Sequence, residues 1–165
     1  PFVLIALETS MRKSEVLAIR RSDVDLERRV IHVPQAKAGA REQPITARLK
    51  SFLEKYLDES VPKNQPWLFP TTRKKSRSGH MVSIEKPFRK AVVEAGLDAR
   101  QVVRHTLRHT AVSHLVQSGV DLPTVKRISG HKTLQMVEKY AHQNGSHIQA
   151  AMDKLQRRMK HQSDA

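Results

Sequence analysis

The chain has 165 residues, 38% hydrophobic and only 4% aromatic, with 30 Lys and Arg against 16 Asp and Glu for a formal charge of +14. That length fits one domain with a real core, and a surplus of this size favours a polyanionic partner, because released counterions drive phosphate binding. Cysteine is absent, which excludes disulfides, thiolate metal sites and a cysteine nucleophile; no stretch is long and apolar enough to span a bilayer, and the N-terminus is no signal peptide.

Phe2, Ile5 and Ala6 recur at helical spacing, and Ser10 with Met11 interrupts the run before Arg12. Ser14 and Glu15 open a second short helix through Val16, Leu17 and Ile19. The segment RSDVDLERR reads as a turn, with Asp23 and Asp25 available for local capping. Val30, Ile31 and Val33 form a β-branched run and Gln43 to Ile45 a second; Ala38-Gly39-Ala40 between them predicts a hairpin with Lys37 near its tip. Leu49, Phe52, Leu53, Tyr56 and Leu57 make an amphipathic helix, with Tyr56 a packing residue.

Trp67, Leu68 and Phe69 follow as a short extended segment, and TTRKKSRSGH is a polar, basic loop: either a solvated surface loop or a mobile arm over a DNA backbone. Ile84, Phe88, Ala91, Val92 and Ala95 predict a helix stopped by Gly96, and Leu107, Ala111, Leu115 and Val116 another stopped by Gly119. Asp121-Leu122-Pro123 starts the next, with an N-cap and an early proline, and Gly130 ends it. A further short helix holds Tyr140, and Ile148, Met152, Leu155 and Met159 define a terminal one, packed on its own domain or docked on a neighbouring copy. The expected fold is mainly α with one small antiparallel β-hairpin, a single domain over residues 1–165. Because PFVLIALETS reads as the middle of a buried helix, the chain is expected to be a fragment of a longer protein.

The residues that could do chemistry sit in a few strings. Arg12 opens RKSEVLAI, Lys37 lies in QAKAGAR, His105 and Arg108 lie in HTLRHT, and His131 and Tyr140 lie in GHKTLQMVEKYAH. A phosphodiester under attack gathers negative charge on its non-bridging oxygens, which preorganised cations stabilise better than water does. Arginine suits this because its fork grips two oxygens and it stays protonated. His105 and Arg108, three residues apart on one helix, share a face. A tyrosine with a pKa near 10 attacks at neutral pH only if its proton is removed or the developing charge is compensated.

These strings, in this order from about residue 2 to about residue 145, resemble the catalytic domain of the tyrosine recombinases, the phage-integrase family. The resemblance implies a DNA strand transferase in which Arg12 and Arg108 clamp the scissile phosphate and Tyr140 attacks it to form a 3′-phosphotyrosyl link. It makes His105 the candidate base, His131 a donor to a phosphate oxygen and Lys37 the acid for the departing 5′ oxygen. Glu15 matches an acidic residue that orients or balances an arginine; Arg41 and Lys132 are expected to contact DNA. The resemblance further implies double-stranded DNA as partner, a homotetramer on DNA for the full-length protein, no cofactor, no membrane, and a cytoplasmic location in a bacterial or phage setting. The family's N-terminal DNA-clamping domain would lie outside this chain.

This sequence departs from the family at Ser10, where glycine is commoner, and at Val137, where threonine is frequent. His105 and His109 have the i, i+4 spacing of a zinc helix, but Thr106 stands where HExxH needs glutamate and no third ligand is near, so no metal is expected and His109 reads as a supporting or packing residue. Two alternatives remain in view: a topoisomerase-like nicking and closing enzyme of type IB, and a catalytically inactive or regulatory DNA-binding relative, for which VDLPTVKRISGH would serve as a DNA-facing helix.

Overall fold

The computed structural model describes residues 1–36, 39–72 and 76–141, together with 152, 153, 155, 156 and 159. Helix α1 (Phe2–Thr9) ends at Ser10, which takes the left-handed conformation at φ 53°, and α2 (Lys13–Leu17) follows after an extended Arg12. The RSDVDLERR segment is more ordered than a turn: a single 3-10 turn at Arg21–Asp23 leads into β1 (Val24–Asp25). Two residues are too few to leave a period-two signal, so a strand this short is silent in sequence. Strands β2 (Val30–Val33) and β3 (Arg41–Pro44) form the expected hairpin, and all three pair antiparallel in the order β1-β2-β3, with Ile31 opposite both Val24 and Gln43.

The remaining elements are α3 (Ala47–Glu59), α4 (Glu85–Glu94), α5 (Arg104–Gln117), α6 (Leu122–Ser129) and α7 (Gln135–Glu138). Two of their starts are chemically marked. Thr46 Oγ1 accepts from the Leu49 amide at 3.0 Å, and Asp121 Oδ1 from the Thr124 amide at 2.9 Å, each satisfying a donor with no intrahelical partner. Of the expected extended segment only Trp67 pairs, in an isolated bridge to Arg20, while Leu68 and Phe69 lie in a bend; Leu68 N still donates to Ile19 O at 3.0 Å, tying the segment to the chain after α2. The basic loop closes on itself through a bridge between Pro70 and His80; Arg73, Lys74 and Lys75 lie outside the described residues. In the terminal segment the described residues are helical, and Met152, Leu155 and Met159 are exposed; Ile148 falls outside the described residues.

Two apolar clusters divide the molecule. The larger joins α1, α2, the sheet, α3 and α4 around Ile5, Leu17, Ile31, Leu49, Leu53 and Leu68. The smaller joins α5, α6 and α7 around Val112, Val116, Val125, Val137 and the ring of Tyr140. Helix α5 belongs to both, through Leu107 on one side and Val112 and Val116 on the other, and it packs on α1 and α6. Whatever α5 carries at its N-terminal end is therefore set between two packed bodies.

Ser10 explains one departure seen in the sequence. A left-handed backbone costs a residue with a Cβ about 1 kcal/mol or more, and glycine almost nothing. The Ser10 hydroxyl is also buried without a hydrogen-bond partner among the described residues. Ser10→Gly is therefore expected to stabilise the fold by about 1 kcal/mol, read as a higher urea midpoint at unchanged slope; a lower midpoint would refute it.

Candidate active site

The turn between α1 and α2 carries Arg12 and the helix after it Glu15, both near enough to Arg108 of α5 to act on its charge. Arg12 donates through Nη1 to Glu15 Oε1 at 3.2 Å and through Nη2 to the Gly130 carbonyl at 3.0 Å, while its backbone amide donates to Glu15 Oε2 at 3.0 Å. Arg41, on β3, grips the same carboxylate with both fork nitrogens, Nη1 to Oε1 at 3.2 Å and Nη2 to Oε2 at 2.9 Å. One buried carboxylate thus holds two guanidiniums from different elements. Burial works to raise the Glu15 pKa, but the Arg41 hydrogen bond, the Arg12 amide and the two positive charges outweigh it and leave it below its ordinary value.

Gly130 makes this junction sterically feasible. It ends α6 at φ 64°, and a Cβ there would lie 3.1 Å from Arg41 Cζ. A side chain would be strained in conformation and pressed against the guanidinium at once.

Arg108 sits at the centre, 8% exposed. Its Nη1 donates to the Ser10 carbonyl at 2.5 Å and its Nη2 to His131 Nε2 at 3.1 Å. Burial, and then the neighbouring Arg12, lower its pKa to about 10; Glu15 and Tyr140 work in the opposite sense and Arg41 adds to the lowering. It remains a cation at neutral pH. His131 is fixed from both sides: Nδ1 lies 2.6 Å from Ser129 Oγ, whose hydroxyl donates to Val125 O at 2.7 Å. That chain assigns the proton to Nδ1 and leaves Nε2 as the acceptor from Arg108.

Burial first, then Arg108, Arg12, Lys139 and His109, depress the His131 pKa to about 4. This ring is neutral when folded and would protonate readily when unfolded, so its contribution to stability is full above about pH 6.5. It is lost as pH falls toward 4. The unfolding free energy should decline across that window, and His131→Gln should flatten the decline in urea titrations; an equal slope in both proteins would remove His131 as its source.

Tyr140 is placed two residues past the end of α7, in a turn, where the sequence predicts it inside the helix. Its ring is part of the α5-α6-α7 cluster, and its hydroxyl lies 2.5 Å from Nδ1 of His109. Burial raises its pKa above the usual phenol value, with Arg108 pulling the other way. Lys139 stands 5.3 Å from the ring centroid. His105 is exposed on the same face of α5, its ring centroid 6.3 Å from that of His109. Lys132 lines an open cleft together with Arg41, Lys126, Arg127, Gly130 and His131.

Of the residues singled out from sequence, Arg12, Glu15 and Arg41 form one hydrogen-bonded group and Arg108 with His131 a second, the two meeting where Arg12 bonds the Gly130 carbonyl next to His131; the Tyr140 hydroxyl is bonded to His109, and His105 stands one turn before it on α5. Lys37 lies outside the described residues. Arg41, expected on DNA, has its fork engaged by Glu15. His109, a supporting or packing residue by its sequence, is the hydrogen-bond partner of the phenol; a helical residue adjacent to Arg108 and 31 positions from Tyr140 offers no local signal of that contact. Among the described residues no three His, Asp or Glu side chains gather as a metal site, and no helix is long and apolar enough to cross a membrane.

The tyrosine recombinase XerD of Brucella suis is 31% identical over 140 residues, 81% of this chain and 44% of its own length. XerC of Chlamydia trachomatis serovar L2 is 28% identical over 138 residues, 81% and 43%. The chain thus spans less than half the length of these relatives. Among solved structures, the Tn1549 transposon integrase in complex with transposon right end DNA aligns over 93% of this chain and 57% of its own with a TM-score of 0.77 at 20% identity. XerA recombinase aligns over 91% and 55% with 0.70 at 26%, and the catalytic domain of bacteriophage HP1 integrase over 92% and 79% with 0.63 at 26%. The fold is that of tyrosine recombinase catalytic domains, and the sequence model of the phage integrase family matches residues 1–147: the chain belongs to that family.

Proposed function

We propose that this chain is the catalytic domain of a site-specific DNA recombinase that cleaves and rejoins DNA through a 3′-phosphotyrosyl link at Tyr140, without metal or ATP. The observation that carries the reading is the arrangement itself: a tyrosine hydroxyl held on the exposed His109 imidazole and within the field of Arg108, which bonds the buried His131, with Arg12 and Arg41 clamped next to them on Glu15, the one carboxylate bonded there among the described residues. Such a site has positive charge in excess, and an incoming phosphate supplies the missing anion.

In this mechanism Arg12 and Arg108 take the two non-bridging oxygens of the scissile phosphate, and Lys37 protonates the departing 5′ oxygen. His131 acts in concert with Arg108. In the free protein its Nε2 accepts from Arg108; a bound phosphate offsets the cations that, after burial, hold the ring neutral, favours its protonation, and turns Nε2 into a donor to a phosphate oxygen. The 5′ hydroxyl of a partner strand then attacks the phosphotyrosine and restores the backbone, conserving the bond energy. Two such rounds through a four-way junction, on four protomers, exchange duplexes. Arg41 aligns Glu15 and Arg12, while Lys126, Arg127 and Lys132 track the DNA backbone. An N-terminal clamp beyond this chain supplies most of the affinity, and the protein acts in the cytoplasm of a bacterium, on bacterial or phage DNA.

The test is covalent trapping on nicked suicide duplex carrying a candidate site, in EDTA, resolved on a denaturing gel. The expected result is a protein–DNA adduct that Tyr140→Phe abolishes. A full-length protein that binds its site and yields no adduct would instead be a regulatory relative. Adduct formation with relaxation of supercoils, and no strand exchange between two sites, would favour the topoisomerase-like reading.

A further inference from the structure

The phenol of Tyr140 has one hydrogen-bond partner among the described residues, and it is outside the six groups assigned above. Its hydroxyl lies 2.5 Å from His109 Nδ1, and the two rings stand 5.7 Å apart, tilted by 37°. His105, one turn earlier on α5, makes no hydrogen bond to the phenol and meets His109 edge-on at 80°. The apolar cluster of Val112, Val116, Val125 and Val137 holds the Tyr140 ring, so the hydroxyl has little freedom to seek another acceptor.

We propose that His109, rather than His105, holds Tyr140 for attack and receives its proton. This rests on the reading of Tyr140 as nucleophile. An imidazole can accept from a phenol only with that nitrogen unprotonated. Burial, then the charges of Lys139, His105 and Arg108, lower the His109 pKa and keep the ring neutral at physiological pH, with the proton on Nε2. As a lone pair of Tyr140 Oη forms the bond to phosphorus, the phenol proton passes to Nδ1 and the O–H pair stays on the oxygen. The ring becomes imidazolium. The bond from phosphorus to the 5′ oxygen breaks with its pair, and that oxygen takes its proton from the general acid. On rejoining, the imidazolium returns the proton to the phenolate.

The same cations make this base respond to substrate. Lys139 and Arg108 face both His109 and Tyr140, while His105 faces His109 alone; His131 lies within the same field. A phosphate seated on Arg108 cancels part of that field, so His109 gains basicity only once DNA is in place. Free protein is thereby spared an activated phenolate.

The experiment is single-turnover adduct formation by the full-length protein at saturating nicked duplex, across the histidine titration range. In the wild type the rate should rise with pH and level off. His109→Asn keeps an acceptor oxygen near the Nδ1 position but cannot take a proton; it and His109→Ala should react about a hundredfold more slowly or worse. Both should lose the low-pH limb while shifting the duplex on a native gel as the wild type does. His105→Asn should keep the limb. A fluorinated tyrosine at position 140, with a more acidic phenol, should recover about tenfold of the rate in His109→Asn, which a merely structural histidine would not permit. A His109→Asn protein at the wild-type rate, or a limb that disappears in His105→Asn instead, overturns the proposal. A wild type that makes no adduct while binding its site overturns the nucleophile reading itself, so the two failures are distinct.

Discussion

Arg108→Lys is expected to slow single-turnover cleavage by about a thousandfold and to leave DNA binding changed by only a few-fold. The guanidinium spans two fixed points, the Ser10 carbonyl at 2.5 Å and His131 Nε2 at 3.1 Å. An ammonium is a point donor and reaches one of them. It also cannot hold a phosphate oxygen and keep the imidazole aligned at the same time. The burial that lowers the Arg108 pKa to about 10 means this cation is poorly hydrated before DNA arrives. Its interaction with charge developing on phosphorus is correspondingly strong, with no water shell to rearrange. The rate of adduct formation at saturating duplex and the gel-shift affinity separate the two effects. A lysine variant within tenfold of the wild-type rate would reduce Arg108 to a scaffold for α1 and His131.

Much of this architecture is legible in the sequence because its causes are local. The α3 stripe of Leu49, Leu53 and Leu57 and the α6 start at Asp121-Leu122-Pro123 arise from periodicity and capping within a few residues, and both are present in the fold. The hairpin arises from the β-branched run of β2 and a Gly-containing connection, whereas β3 holds no β-branched residue and runs from Arg41 to Pro44 rather than over Gln43 to Ile45, since pairing with β2 rather than side-chain pattern sets its ends. The identities of the site residues are carried by motif strings. Their connections are not: Arg12 reaches Gly130 across 118 positions, Arg108 reaches Ser10 across 98, and Arg41 reaches Glu15 across 26. Such contacts are fixed by how α1, α5 and the sheet pack. In sequence alone Arg41 therefore looks like a free basic residue, because only the approach of β3 to α2 gives it Glu15, and His109 like filler, because only the packing of α5 against the turn carrying Tyr140 gives it the phenol.

Glu15→Gln should cost about 2–3 kcal/mol of stability at neutral pH, at or just below the lower end of the range for removing one partner from a buried charge cluster. The carboxylate side chain is 3% exposed, and the guanidiniums of Arg12 and Arg41 that it neutralises are 21% and 14% exposed. Without it two positive charges face each other, and Arg108, in a largely dry junction. Their partial exposure lets water recover some of the loss, which keeps the cost below that of a fully enclosed pair. The pH dependence has a definite sign. The Glu15 pKa is lowered in the folded protein, so its contribution is present above the ordinary carboxylate pKa and disappears as pH falls through the lowered folded value. Urea unfolding should therefore show the wild type losing its advantage over Glu15→Gln in acid, the two curves converging as pH falls through and below the ordinary carboxylate range. Arg41→Gln added to Glu15→Gln should restore about 1 kcal/mol, because it removes a cation already left unpaired. If the double variant is as unstable as the sum of the two single ones, Glu15 and Arg41 are energetically independent and the junction is held by packing alone.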